Sequence, residues 1–227
     1  MEKRLLSRLS WISHTNARRA ELFLRDEPNA DRNLIRIIPN YPPRNWSHGM
    51  DTNATDGVIR IVYVGALGMK TMYVSELANW VEAQGGRFIW DIYTQQNDTE
   101  LSEFLKSRSF RNVRSMGYVP YGKLASLLSR YDIGVILYRV QTDNFRYNAP
   151  NKLFEYLNCG LHVWFPRDME GILPYVNEGG RPKVVSVNYE VSTSIDAAAE
   201  STKQHAGSMA SFYCEDVYPP FKESLLG

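Results

Sequence analysis

A chain of 227 residues can bury one good core, alone or with appendages, and is too short for a large two-domain enzyme. Its 26 Lys and Arg against 25 Asp and Glu leave a net charge of +1, so neither a nucleic-acid backbone nor an anionic membrane is the expected partner, and a small molecule is. No run of about 18 uninterrupted apolar residues occurs, which excludes a transmembrane helix and leaves at most peripheral membrane contact.

From the start of the chain, Met1 to Ser10 is basic, and its apolar residues are interrupted by Arg4, Ser7 and Arg8, so it does not read as a signal peptide. Trp11–His14, Ala17–Leu24 and Leu34–Ile38 read as a strand, a helix and a strand, too few elements for a core of their own. Residues 1–45 are therefore expected to dock on something larger. The stretch 46–57 is rich in Asn, Asp, Ser, Thr and Gly and reads as a linker.

From residue 58 to 190 short apolar runs alternate with amphipathic stretches, the pattern of repeated βαβ units and a parallel sheet. Strands are expected at Ile59–Val64, Arg87–Tyr93, Asn112–Met116, Ile133–Tyr138, Leu161–Phe165 and Lys183–Val187. Helices are expected at Met72–Gln84, Thr99–Ser107, Gly122–Arg130, Pro150–Asn158 and Met169–Asn177. Within the first of these, Tyr73, Leu77, Trp80 and Val81 share one face, which should pack on the sheet. Residues 191–227 read as a helical tail that docks through Phe212, Val217, Phe221 and Leu225. The fold class is thus α/β, a Rossmann-like sheet of about six parallel strands flanked by helices.

The segment from Tyr147 to Gly160 carries the most chemistry. Pro150 suits a first helical turn, Asn148 is a good cap shortly before it, and Gly160 is placed to end the helix. The open N–H groups of such a helix, at the carboxyl end of a strand, can hold a diphosphate, with Lys152 adding a mobile charge. Glu155, about one turn further on, could accept hydrogen bonds from both hydroxyls of a ribose. Taken alone, Lys152 and Glu155 are more often a solvated surface pair three residues apart.

The surrounding residues change that balance. Pro150 to Val163, P-N-K-L-F-E-Y-L-N-C-G-L-H-V, resembles the P-x-K-L-x-E-Y-L-A-C-G-x-P-V segment of GT-B glycosyltransferases, particularly the large retaining family usually numbered four. Gly117 to Leu124, followed by Tyr131-Asp132-Ile133-Gly134-Val135, resembles the same family's G-x-V-x-x-x-x-L…ADIGV pattern, and Ile61 to Leu67 with Lys70 is similar to its opening strand and glycine loop. Asn16 to Ala20 and Ile38 to Pro42 resemble the last elements of the family's N-terminal domain and its crossover, so the chain is expected to be the C-terminal half of a GT-B fold with a short part of the N-terminal half.

That resemblance implies a base against the loop of Gly117, Tyr118 and Val119, a ribose on Glu155, and a diphosphate near Gly65, Asn148, Pro150, Asn151, Lys152 and Lys70. Lys70, Lys152 and Glu155 are the candidate catalytic residues. Tyr147 stands where the family often has a second acid, and Ala66 where many members carry Arg, so the usual basic pair is reduced to Lys70. The implied activity is hexose transfer from a UDP- or GDP-linked donor to a glycan or lipid-linked acceptor in surface polysaccharide or glycoconjugate assembly. The alternatives are a non-catalytic nucleotide-sugar-binding module, completed by a partner chain or a second copy, and more weakly a sugar-nucleotide epimerase.

No cofactor, metal or nucleic acid is expected. His14, His48, His162 and His205 lack metal spacing and read as satisfied or half-buried histidines. Cys159 and Cys214 have no C-x-x-C spacing, which suits a reducing, cytoplasmic compartment, and Cys159 reads as packing. Gly65-Ala66-Leu67-Gly68 is not the dinucleotide fingerprint.

Overall fold

A computed structural model describes residues 9–46, 57–94, 99–177, 180–202 and 211–218. Most of the expected linker, together with His48, His205, Phe221 and Leu225, lies outside the described residues.

The main body is one six-stranded parallel sheet. Its strands are β3 (Ile59–Val64), β4 (Phe88–Tyr93), β5 (Val113–Gly117), β6 (Ile133–Val135), β7 (His162–Pro166) and β8 (Val184–Val187), in the spatial order β5-β4-β3-β6-β7-β8. The chain therefore lays β4 and β5 on one side of β3 and then crosses to lay β6, β7 and β8 on the other. The strand order thus reverses between β3 and β6, and open parallel sheets commonly take their ligands outside the carboxyl ends of the strands at such a point. Buried on both faces, the inner strands are nearly continuous hydrophobic runs, as in the I-V-Y-V of β3, whereas the edge strand β5 exposes most of its residues.

Side-chain alternation along β3 divides the core in two. Ile61 and Tyr63 face α2 (Val74–Ala83) and α7 (Ser192–Thr202), which bury Leu77, Ala78 and Val81, and Ile195, Ala198 and Ala199, against them. Val62 faces α4 (Tyr121–Leu128) and α6 (Asn151–Asn158), which bury Leu124 and Leu128, and Leu153, Phe154 and Leu157. Each such large apolar side chain removed from water contributes roughly 1.5–3 kcal/mol. Trp46, Trp80, Trp90 and Trp164 are all core residues, with Trp80 donating from Nε1 to Asp196 Oδ1 at 2.9 Å.

Ahead of this body, β1 (Ile12–His14) and β2 (Ile35–Ile37) form a separate two-stranded parallel sheet joined by α1 (Ala17–Asp26). Asn16 caps α1 by accepting from the Arg19 N–H, and its Nδ2 donates to the Tyr147 carbonyl at 2.8 Å, docking the segment on the loop before α6. Further along, Tyr41 meets Phe154 and Phe212 in an aromatic cluster that also holds Tyr175. Asn158 fixes Phe212 by exchanging two hydrogen bonds with its backbone. Segments from both ends of the chain thereby brace the back of α6.

Several boundaries differ from expectation. Strand β6 ends at Val135 rather than Tyr138; beyond it the chain turns toward the β3 loop, where Tyr138 forms a single bridge with Met72 and Arg139 N–H bonds the Thr71 carbonyl. The helix expected at Met169–Asn177 is a 3-10 helix over Glu170–Tyr175, with Pro174 unable to donate an α-helical bond. A further short helix, α5 (Asp143–Arg146), begins at Thr142, whose side chain accepts from the Phe145 N–H, and α8 (Cys214–Val217) follows Phe212. No described helix is long and apolar enough to cross a membrane.

Candidate functional site

Three loops leave the carboxyl ends of the strands on this side: 65–72 after β3, 118–120 after β5, and 136–150 between β6 and α6. The first is held by the Tyr63 hydroxyl, which donates to the Ala66 carbonyl, and by Gly65 N–H donating to Tyr93 O at 2.9 Å. Gly65 adopts φ +129°, which side chains other than glycine rarely tolerate, and a Cβ there would lie 2.7 Å from Lys152 Nζ. The missing side chain is what lets the ammonium reach over the loop.

Lys152 is half-buried in the first turn of α6. Its ammonium lies 5.2 Å from the Tyr63 ring centroid and 5.9 Å from that of Tyr138, and no carboxylate among the described residues forms an ion pair with it. Aromatic faces stabilise a cation without neutralising it, so this charge remains available to an anion.

The start of α6 differs in detail from expectation. Pro150 occupies the cap position, with φ −72° and ψ 157°, and Asn151 is the first helical residue; Asn148 does not cap, and no side chain does. Proline has no side-chain acceptor to offer the first-turn N–H groups, so they stay open to a ligand. Gly160, at φ +85°, stops the helix where expected.

Glu155 is 8% exposed, and among the described residues nothing donates a hydrogen bond to its carboxylate. Burial raises its pKa from 4.5 to about 7, and the nearby Lys152 charge only partly opposes this. A carboxylate so largely desolvated, with no donor among the described residues, disfavours its own charged form, and a ligand bringing two hydroxyls would relieve this. Behind it, the fully buried Tyr156 accepts at its hydroxyl from the Val64 N–H at 3.2 Å, tying α6 to the end of β3.

Beside α6 lies a cleft of about 400 Å³ lined by Val64, Gly65, Ala66, Tyr93, Thr94, Tyr118, Val119, Tyr121 and Leu124. Of the residues singled out in the sequence, Gly65, Tyr118 and Val119 line it, and Gly117 ends the strand just before. Tyr93, Thr94, Tyr121 and Leu124 are additions from separate elements. Burial first and the Glu155 charge second raise the phenol pKa of Tyr121. Tyr93 is positioned by a polar network: its hydroxyl meets that of Tyr131 at 3.0 Å, Tyr131 donates to Asp91 at 2.7 Å, and Asp91 receives two bonds from Arg114.

Lys70 is exposed on the β3 loop, and no hydrogen bond or ion pair joins it to α6. His162 is buried and accepts from the Lys183 N–H at 3.0 Å, while Cys159 is packed under α4, its thiol pushed up to about 12 by burial. Among the described residues no group of His, Cys, Asp or Glu is placed to hold a metal ion.

No family model and no curated protein matches the sequence. Solved structures do match the fold. The Anabaena protein HepE, solved with UDP and glucose, superposes with a TM-score of 0.69 at 13% identity, covering 96% of this chain and 63% of that one. Sucrose-phosphate synthase from Thermosynechococcus elongatus gives 0.68 at 15% identity, covering 99% and 60%. The C-terminal domain of a group 1 glycosyl transferase, LpcC of Francisella tularensis, gives 0.51 at 11% identity, covering 70% of this chain and 85% of that domain. This is the GT-B glycosyltransferase fold. The six-stranded sheet with its helices corresponds to the Rossmann-like C-terminal domain of GT-B proteins, and the chain spans less than two thirds of HepE and of the synthase.

Proposed function

We propose that this chain holds the nucleotide-diphospho-sugar donor of a glycosyltransferase at the carboxyl edge of its sheet. The base occupies the cleft between Tyr118–Val119 and Tyr93, and the ribose hydroxyls donate to Glu155. The diphosphate meets the open N–H groups at Asn151 and Lys152, with the Lys152 ammonium beside it and Lys70 reaching in from the β3 loop. The observation that carries this reading is the buried, donorless Glu155 carboxylate, one turn into a helix whose start bears no capping side chain. As the sugar leaves, the diphosphate gathers negative charge, and fixed N–H groups with Lys152 stabilise it at little reorganisation cost. The transferred sugar is a hexose and the acceptor a glycan or lipid-linked chain of surface polysaccharide or glycoconjugate assembly. The free thiols of Cys159 and Cys214 fit a cytoplasmic setting.

A second reading keeps the donor site but assigns the acceptor side to a partner chain, or leaves the protein as a binding module. It is supported by the share of the HepE and synthase chains that this one spans. Turnover of donor by the chain alone separates the two.

Calorimetric titration with UDP, GDP and their hexose conjugates tests the donor site itself. One nucleotide series is expected to bind, with affinity falling at least about tenfold in Glu155→Ala, as befits loss of hydrogen bonds to a charged acceptor. Equal binding of every ligand to both proteins would remove Glu155 from the site.

A further inference from the structure

The groups fixed at the proposed donor site are short of positive charge. A nucleotide-diphospho-sugar carries two negative charges on its diphosphate, whereas Lys152 supplies one positive charge and a helix start about half of one. Lys70 is exposed, and nothing fixes it toward α6.

A further cation is held at the turn that leads into α6, and it comes from the N-terminal segment. Arg19, in the first turn of α1, donates from Nη2 to Asn144 Oδ1 at 2.7 Å, and its Nη1 reaches Asn148 Oδ1 at 3.5 Å. Both acceptors are neutral amides, and the two bonds engage only part of a guanidinium's five N–H donors. No carboxylate among the described residues pairs with Arg19, whereas Arg18, Arg25 and Arg146 are matched by Glu21, Asp26 and Glu170. Arg19 is half-buried rather than free in solvent. Its backbone is fixed independently, because Asn16 both caps α1 and donates to the Tyr147 carbonyl. The field of this charge extends inward: the His14 imidazole pKa is lowered by burial and then by Arg19.

We infer that Arg19 is a phosphate-binding residue of the donor site, reaching the diphosphate from the 143–150 loop that leads into α6. The inference rests on the reading that the diphosphate lies at the start of α6. Asn144 and Asn148 then act as a neutral cradle that orients the guanidinium without competing for its charge, and donor binding draws α1 more tightly onto the 143–150 loop.

The test is a titration of the full chain with UDP and uridine, and in parallel with GDP and guanosine, at fixed ionic strength. Wild type is compared with Arg19→Gln, Arg19→Lys and Lys152→Ala. Arg19→Gln is expected to weaken the nucleoside diphosphate at least about tenfold, to leave the nucleoside within about twofold, and to be partly rescued by Arg19→Lys. A purely structural role for Arg19 would shift diphosphate and nucleoside together, and that result overturns the inference. So does unchanged diphosphate affinity in Arg19→Gln when Lys152→Ala weakens it, an outcome that leaves the donor site standing. If Lys152→Ala also binds like wild type, the diphosphate is not at α6 and both readings fall.

Discussion

Glu155→Gln is expected to bind a UDP- or GDP-hexose at least about tenfold more weakly than wild type at pH 8 and to lose the pH dependence of binding. The unliganded carboxyl has a pKa of about 7 because it is buried, yet the form that accepts from two ribose hydroxyls is the ionised one. Ligand must therefore displace a proton below pH 7, and wild-type affinity should rise about tenfold between pH 6 and pH 8. A diphosphate diester has no ionisation of its own in this window, so the dependence belongs to the protein. The same residue sets a stability trend of opposite sense. Its folded pKa lies above its unfolded value of 4.5, so the folded state holds the proton longer, and the associated stability is complete below pH 4.5 and lost as pH rises through about 7. The full loss is on the order of 3 kcal/mol. Glu155→Gln should accordingly melt at higher temperature than wild type at pH 8 and at nearly the same temperature at pH 4. Scanning calorimetry at the two pH values checks this; a variant less stable at pH 8 would mean that the carboxylate is satisfied inside the fold.

Gly134→Ala should destabilise the protein by about 3 kcal/mol, at the upper end of what overpacking costs. A Cβ on this β6 residue would overlap the Tyr156 ring, with Cε2 only 2.7 Å away. The ring is fully buried and its hydroxyl is held by the Val64 N–H, so it cannot swing aside without releasing α6 from the end of β3. Because Lys152 and Glu155 ride on α6, nucleotide affinity should fall along with the urea midpoint. Gly134→Ala combined with Tyr156→Leu removes the overlap and should recover part of the stability lost in the single glycine variant. Strictly additive losses in the double variant would show that the two residues do not compete for the same space.

The inner strands β4, β3, β6 and β7 are legible because each is a short, largely apolar run buried on both faces, and β3 begins and ends at the residues its pattern indicates. The end of β6 is not, since Ile136 and Leu137 stay buried beyond Val135, and the Ile136 N–H still bonds the Trp164 carbonyl before the chain turns toward the β3 loop. Four-residue α5 is too short for a helical period to show, and its one signal is the Thr142 cap. At the site, spacing within one helix placed Lys152 and Glu155 together. Spacing could not reveal that Tyr93 and Thr94 share a cleft wall with Tyr121 and Leu124, because the end of β4 and the start of α4 lie well apart in the sequence and are brought together only by the fold. Nor could it show that Arg19 meets Asn144 and Asn148 more than a hundred residues away. The cap was assigned to Asn148 on residue preference, but Pro150 takes that position because its backbone is extended, which leaves the helix start without a side-chain acceptor.

The central claim is that the first turn of α6 receives a diphosphate while the acid one turn later takes the attached pentose. Diffraction from crystals soaked in UDP or GDP decides it most directly. The account predicts phosphate density within hydrogen-bond reach of the Asn151 and Lys152 N–H groups and both ribose hydroxyls on Glu155. Nucleotide density elsewhere on the sheet edge, or a ribose beyond reach of Glu155, would contradict it.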